Sequence, residues 1–66
     1  MLNMRDAILE IASRDSSVAL KIGSDGIACR IDHGPYHVEF SSDDGDINSL
    51  EEWLNYWLAL MPWPEV

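Results

Sequence analysis

Three short runs in the middle of the chain alternate apolar with polar or small residues: Val18, Leu20 and Ile22, then Ile27, Cys29 and Ile31, then Tyr36, Val38 and Phe40. A period of two puts every second side chain on the same side of a strand, so each run reads as a strand with one apolar face. The connections Gly23-Ser24-Asp25-Gly26 and Asp32-His33-Gly34-Pro35 are short and rich in turn formers, as antiparallel hairpins require. With four residues in each turn, Val18 pairs with Ile31, Leu20 with Cys29 and Ile22 with Ile27, while Tyr36, Val38 and Phe40 oppose Ile31, Cys29 and Ile27. The apolar residues of all three runs then share one face. The opposite face carries Ala19, Lys21, Ala28, Arg30, His37, Glu39 and Ser41, a mixture suited to water or to a polar contact.

The flanking segments must cover that single apolar face, and both have the period of a helix. From Met4 to Arg14, the residues Met4, Ala7, Ile8, Ile11 and Ala12 form one stripe, with Asn3 placed as an N-cap. Asp15-Ser16-Ser17 breaks the pattern. After the polar connection Ser41–Asp46, Asn48 or Ser49 marks the start of a second helix, since each is followed three residues later by a glutamate. Its stripe is Leu50, Trp53, Leu54, Trp57, Leu58 and Met61, with Glu51, Glu52 and Asn55 directed outward, and Pro62 and Pro64 end it. The fold class is therefore α+β, in the order αβββα, with both helices packed on one face of a three-stranded antiparallel sheet. Residues 1–66 read as one domain with no linker or repeat, near the lower size limit for folding without disulfides or metal.

Charge narrows the functional classes. The net charge is −8, and all four Lys and Arg residues, Arg5, Arg14, Lys21 and Arg30, lie in the first 30 positions, where four acids cancel them. From residue 31 onward there are eight acids and no Lys or Arg, so direct binding to nucleic acid, which needs cations against phosphates, is not expected. A lone cysteine, Cys29, fits a reducing compartment, and no run reads as a signal peptide or membrane span. A cytoplasmic monomer is the expected state.

The acids Asp43, Asp44, Asp46, Glu51 and Glu52 gather where the third strand passes into the second helix. Acids favour helix N-termini, each worth about 0.3–1 kcal/mol, which accounts for two or three of them. The remainder points to a basic partner, because a field of one sign speeds encounter with the other. A calcium loop fails in register: aligning Gly45 with the invariant glycine puts Phe40 at the first ligand position. His33 and His37, with Asp32 and Glu39 nearby, lack a geometry that would hold a metal, and Cys29 faces the core. Asn48-Ser49-Leu50 is similar to the Asp-Ser-Leu motif of acyl carrier proteins, but the aspartate is missing and three strands precede it, so Ser49 reads as a capping residue. No nucleophile is matched to a base and no glycine-rich phosphate loop is present, so neither an enzyme nor a cofactor is expected. Trp63, between two prolines, reads as a cover for the core before it reads as a contact residue.

In size, charge and αβββα plan the chain resembles the small acidic inhibitors that phages make against CRISPR systems, the anti-CRISPR proteins. For acidic members that resemblance implies a carboxylate surface imitating DNA phosphates. Such a surface occupies a basic channel, or the site that reads the protospacer-adjacent motif, on a subunit of a Cas effector complex. The surface residues to which this applies are Asp32, Glu39, Asp43, Asp44, Asp46, Glu51 and Glu52. An immunity protein or antitoxin covering the basic active site of a nuclease toxin is the alternative that the same charge supports.

Overall fold

The computed structural model describes residues 1–60 and has the expected order: α1 Met4–Ala12, β1 Ser17–Gly23, β2 Gly26–His33, β3 Tyr36–Ser42 and α2 Ile47–Leu60. Asn3 caps α1 as its sequence position suggests, its side-chain oxygen accepting from the Asp6 amide at 2.8 Å. The helix ends two residues earlier than the apolar period implies. Ser13 closes it, and Asp15 then takes a left-handed conformation (φ 57°), which aspartate tolerates better than most residues.

The three strands form an antiparallel meander in the order β1-β2-β3. The first hairpin has the expected register, with Val18 opposite Ile31, Leu20 opposite Cys29 and Ile22 opposite Ile27. The second does not. Ile31 pairs with Val38, Cys29 with Phe40 and Ile27 with Ser42, because β2 continues to His33 and pairs it with Tyr36, leaving Gly34-Pro35 as a two-residue turn. Gly34 has φ +60° and proline fixes its own φ near −65°, the sign pattern of a type II′ turn. Because the side-chain period is two, a slip of two residues leaves Val38 and Phe40 on the apolar face. It also draws the end of β3 back along β2 by roughly 7 Å.

Both helices lie on the same face of the sheet, and the buried core is Ala7 and Ile11 from α1, Ile27, Cys29 and Ile31 from β2, and Leu50 and Leu54 from α2. Met4, Ile8, Val18, Tyr36, Val38, Phe40, Trp53, Trp57 and Leu58 pack around it, half-buried, with the Phe40 and Trp53 rings 5.6 Å apart. Cover stops short of β1. Val18 is half-buried, but Leu20 is 37% and Ile22 56% exposed, so the far end of that strand keeps its apolar side chains in water. Ala12, expected on the buried stripe of α1, is exposed as well. Met61 and Trp63 lie outside the described residues.

Gly26 joins the two ends of this design. Its φ is +125°, and a Cβ there would collide with the Ser42 carbonyl oxygen and lie 3.0 Å from the Asp43 Cα. Gly34 has open space around it and only its positive φ to defend. Gly26→Ala is therefore expected to cost about 3 kcal/mol or more, strain and overlap together, against about 1–2 kcal/mol for Gly34→Ala. Urea unfolding of the two variants measures this, and an equal cost would show that β3 does not press on Gly26.

Candidate functional site

The shift of β3 decides where the acids go. With Ser42 opposite Ile27, the chain leaves the sheet beside Gly26, and Asp43 lines a shallow recess of about 300 Å³ together with Asp25 from the β1–β2 turn, Lys21 and Ser42. Asp25 was absent from the sequence-based set because its neighbours in the chain cancel its charge. The register alone brings it to the acidic loop.

Two of the loop acids have structural duties. Asp44 accepts from the Ser42 hydroxyl and, at 3.1 Å, from the Asp46 amide, folding the loop back on itself. Those bonds, the Ser42 hydroxyl first, hold the Asp44 carboxyl below the usual aspartate range. Asp46 is the true N-cap of α2. Its Oδ1 accepts from the Asn48 amide at 3.0 Å, its Oδ2 accepts from the Ser49 hydroxyl at 2.9 Å, and its carbonyl receives the Leu50 amide. Neither Asn48 nor Ser49 is the cap, because the helix begins at Ile47, and Ser49 is half-buried with its hydroxyl engaged by Asp46. An Asp-x-x-Ser reading would have found this cap as readily as the Ser-x-x-Glu pattern missed it.

Glu51 does not point outward. Its Oε2 accepts from the Met4 amide at 2.8 Å, satisfying one of the unpaired donors at the start of α1 from a residue 47 positions away. Asn55, one turn on, accepts from the Leu2 amide at 3.0 Å and donates to the Leu2 carbonyl at 2.8 Å. Together these side chains staple the N-terminal strand of backbone to α2. No local pattern signals such a contact, since it depends on α1 and α2 lying side by side.

Asp32 and Glu39 lie elsewhere. Asp32 is near the second turn, where Arg30 donates to its Oδ1 at 3.1 Å, and Glu39 pairs across the sheet with Arg30 on the face the helices leave open. That face has a concavity of about 320 Å³ over Ala19 and Ala28, bordered by Lys21, Arg30 and Glu39. The seven sequence-nominated acids thus occupy three places instead of one surface. Exposed acids whose carboxylates make no hydrogen bond or ion pair among the described residues are Asp25 and Asp43 at the loop end, Glu52 on α2 and Glu39 on the open face, besides Asp6 and Asp15 near α1.

His33 and His37 are on opposite faces, His33 beside Tyr36 with Nδ1 2.8 Å from the Ser16 hydroxyl, and His37 beside Asp32. Among the described residues no three His, Cys, Asp or Glu side chains come together as metal ligands would, and no helix is long and apolar enough to cross a membrane. Burial pushes the Cys29 thiol up, away from the reactive thiolate.

Two outcomes follow from the acids with structural duties. Glu51→Ala, by removing an α1 cap, should lower stability by about 1 kcal/mol in urea melts, whereas Glu52→Ala should leave it within about 0.5 kcal/mol. Asp44, lowered in the folded chain, contributes stability that is present above the ordinary aspartate range and lost as pH falls through its folded value. Ser42→Ala removes the larger cause, so carboxyl NMR titration should show Asp44 moving up toward an ordinary aspartate. An unmoved Asp44 would assign the shift to the Asp46 amide instead.

Compared with known proteins, the chain matches no family model, no curated protein and no solved structure.

Proposed function

We propose that the protein is an acidic binding inhibitor, of the anti-CRISPR kind, that docks its carboxylate-bearing end on a basic DNA-binding surface of a Cas effector complex. One observation carries the reading: Asp25, Asp43, Asp44 and Asp46 converge from two loops at one end of the sheet in a chain of net charge −8. Two of these four are held by the domain's own donors, and Gly26 locks the loops against each other. Fixed carboxylates of this kind suit Lys and Arg side chains arranged to grip a phosphate backbone, because little freedom is lost on docking. Lys21 borders the recess and sets its limit toward the open sheet face.

The structural duties dictate how the reading is tested. Reversing Asp44, Asp46 or Glu51 would disturb folding and binding together, so the informative variant is Asp25→Lys, Asp43→Lys, Glu52→Lys. It should keep the wild-type circular dichroism spectrum and melting behaviour. Wild-type protein should bind purified effector complex and release its DNA in a gel-shift assay, with an association rate that falls on the order of tenfold from low to physiological salt. The triple variant should do neither. A folded triple variant that still displaces DNA with the same salt dependence would overturn the reading. Binding to a nuclease toxin in place of a Cas complex would keep the acidic end as the contact and move the protein to the immunity class.

A further inference from the structure

The edge of β1 has the features of a self-pairing surface. Among the described residues it has a neighbouring strand on one side only, and its ladder with β2 runs unbroken from Ser17 to Gly23, without a bulge or proline to blunt the free edge. Leu20 and Ile22 stand exposed along it on the helix-bearing face. In a chain of net charge −8, the stretch from Ser16 to Ser24 contains no acid and one cation, Lys21, so it is where two copies repel each other least.

We propose that two copies of this chain pair through β1, antiparallel about Leu20, joining their sheets into one of six strands. Leu20 is the middle residue of β1, so this register pairs the strand along its whole length, Ser17 with Gly23 of the second copy. It sets Leu20 against Leu20 and Val18 against Ile22, completing apolar cross-strand pairs on the helix side, and Ala19 against Lys21 on the open side. Centring one residue later would oppose Lys21 to Lys21 and lose the match of ends. The pairing departs from the monomer expected of so small a chain because it covers the part of β1 that α1 does not reach. It points the two acidic ends in opposite directions along the joined sheet.

Sedimentation equilibrium on the full chain should give double the 7.5 kDa chain mass at tens of micromolar. Ile22→Lys alters a side chain that is exposed in the free chain, so at a dilution where both proteins are monomeric its melting curve should match wild type, while its dimer dissociation constant rises at least tenfold. Register has its own readout. Paired residues in antiparallel strands have Cα atoms about 4.5–5.5 Å apart, within disulfide reach, so, with Cys29 replaced by alanine because it stands opposite residue 20 in the same chain, Leu20→Cys should link to a covalent dimer with diamide as oxidant. Ile22→Cys should not, since its copies would stand four residues apart. A wild-type chain that stays at 7.5 kDa throughout overturns the proposal, including the case where the edge serves another protein's strand. So does a dimer indifferent to Ile22→Lys, or one in which Ile22→Cys links as well as Leu20→Cys.

Discussion

The apolar side of the central strand, Ile27, Cys29 and Ile31, is the floor on which the rest of the protein rests. Ala7 and Ile11 reach it from one helix and Leu50 and Leu54 from the other, and full burial of each large side chain is worth about 1.5–3 kcal/mol. A domain of 66 residues has few such contacts to distribute. Nine residues of α1 make a helix about 14 Å long, whereas the seven residues of β1 run about 23 Å. Short cover over a longer strand leaves Leu20 and Ile22 in water, on a strand that the order β1-β2-β3 already places at an edge of the sheet.

What could be read from the sequence was whatever is local or periodic. The αβββα order, the apolar face, the Asn3 cap and the first hairpin register follow from patterns confined to single elements or to neighbouring ones. The second hairpin slipped by two because both registers keep the same side chains facing inward, so hydrophobic pattern could not choose between them. Turn chemistry chose: glycine followed by proline fits a two-residue loop, and reading Asp32 and His33 as turn residues gave weight to their polarity over their pairing. The Glu51 and Asn55 staple was illegible for a different reason. It joins residues nearly the whole chain apart, and an outward helical position looks the same whether it meets water or another segment's backbone.

That register also reshapes the acidic cluster. Sequence proximity groups Asp43, Asp44, Asp46, Glu51 and Glu52, but the fold separates them by task. Asp46 starts α2, Asp44 shapes the loop before it, and Glu51 closes the start of α1. Asp25 joins from a turn 18 residues earlier in sequence than Asp43, because pairing Ile27 with Ser42 makes the two loops neighbours. The acids that serve folding and the acids that remain exposed without partners are therefore different residues, and only the second group can be exchanged without touching the scaffold.

Nor are the charges placed at random with respect to solvent. No charged or polar residue among those described is fully buried, so the carboxylates carry little desolvation cost, and what they cost each other is mainly repulsion through water. At about 7 Å in bulk water that is on the order of 0.6 kcal/mol for a pair, and physiological salt reduces it further. The free chain can bear such a sum in small exposed increments. Against a basic surface the same carboxylates exchange mutual repulsion for attraction without having to be rearranged, since the loop bonds already fix two of them. Collecting the acids at the loop end also leaves the β1 edge free of them, so one segregation of charge favours a cationic partner at the end of the sheet and permits close approach of like chains at its side.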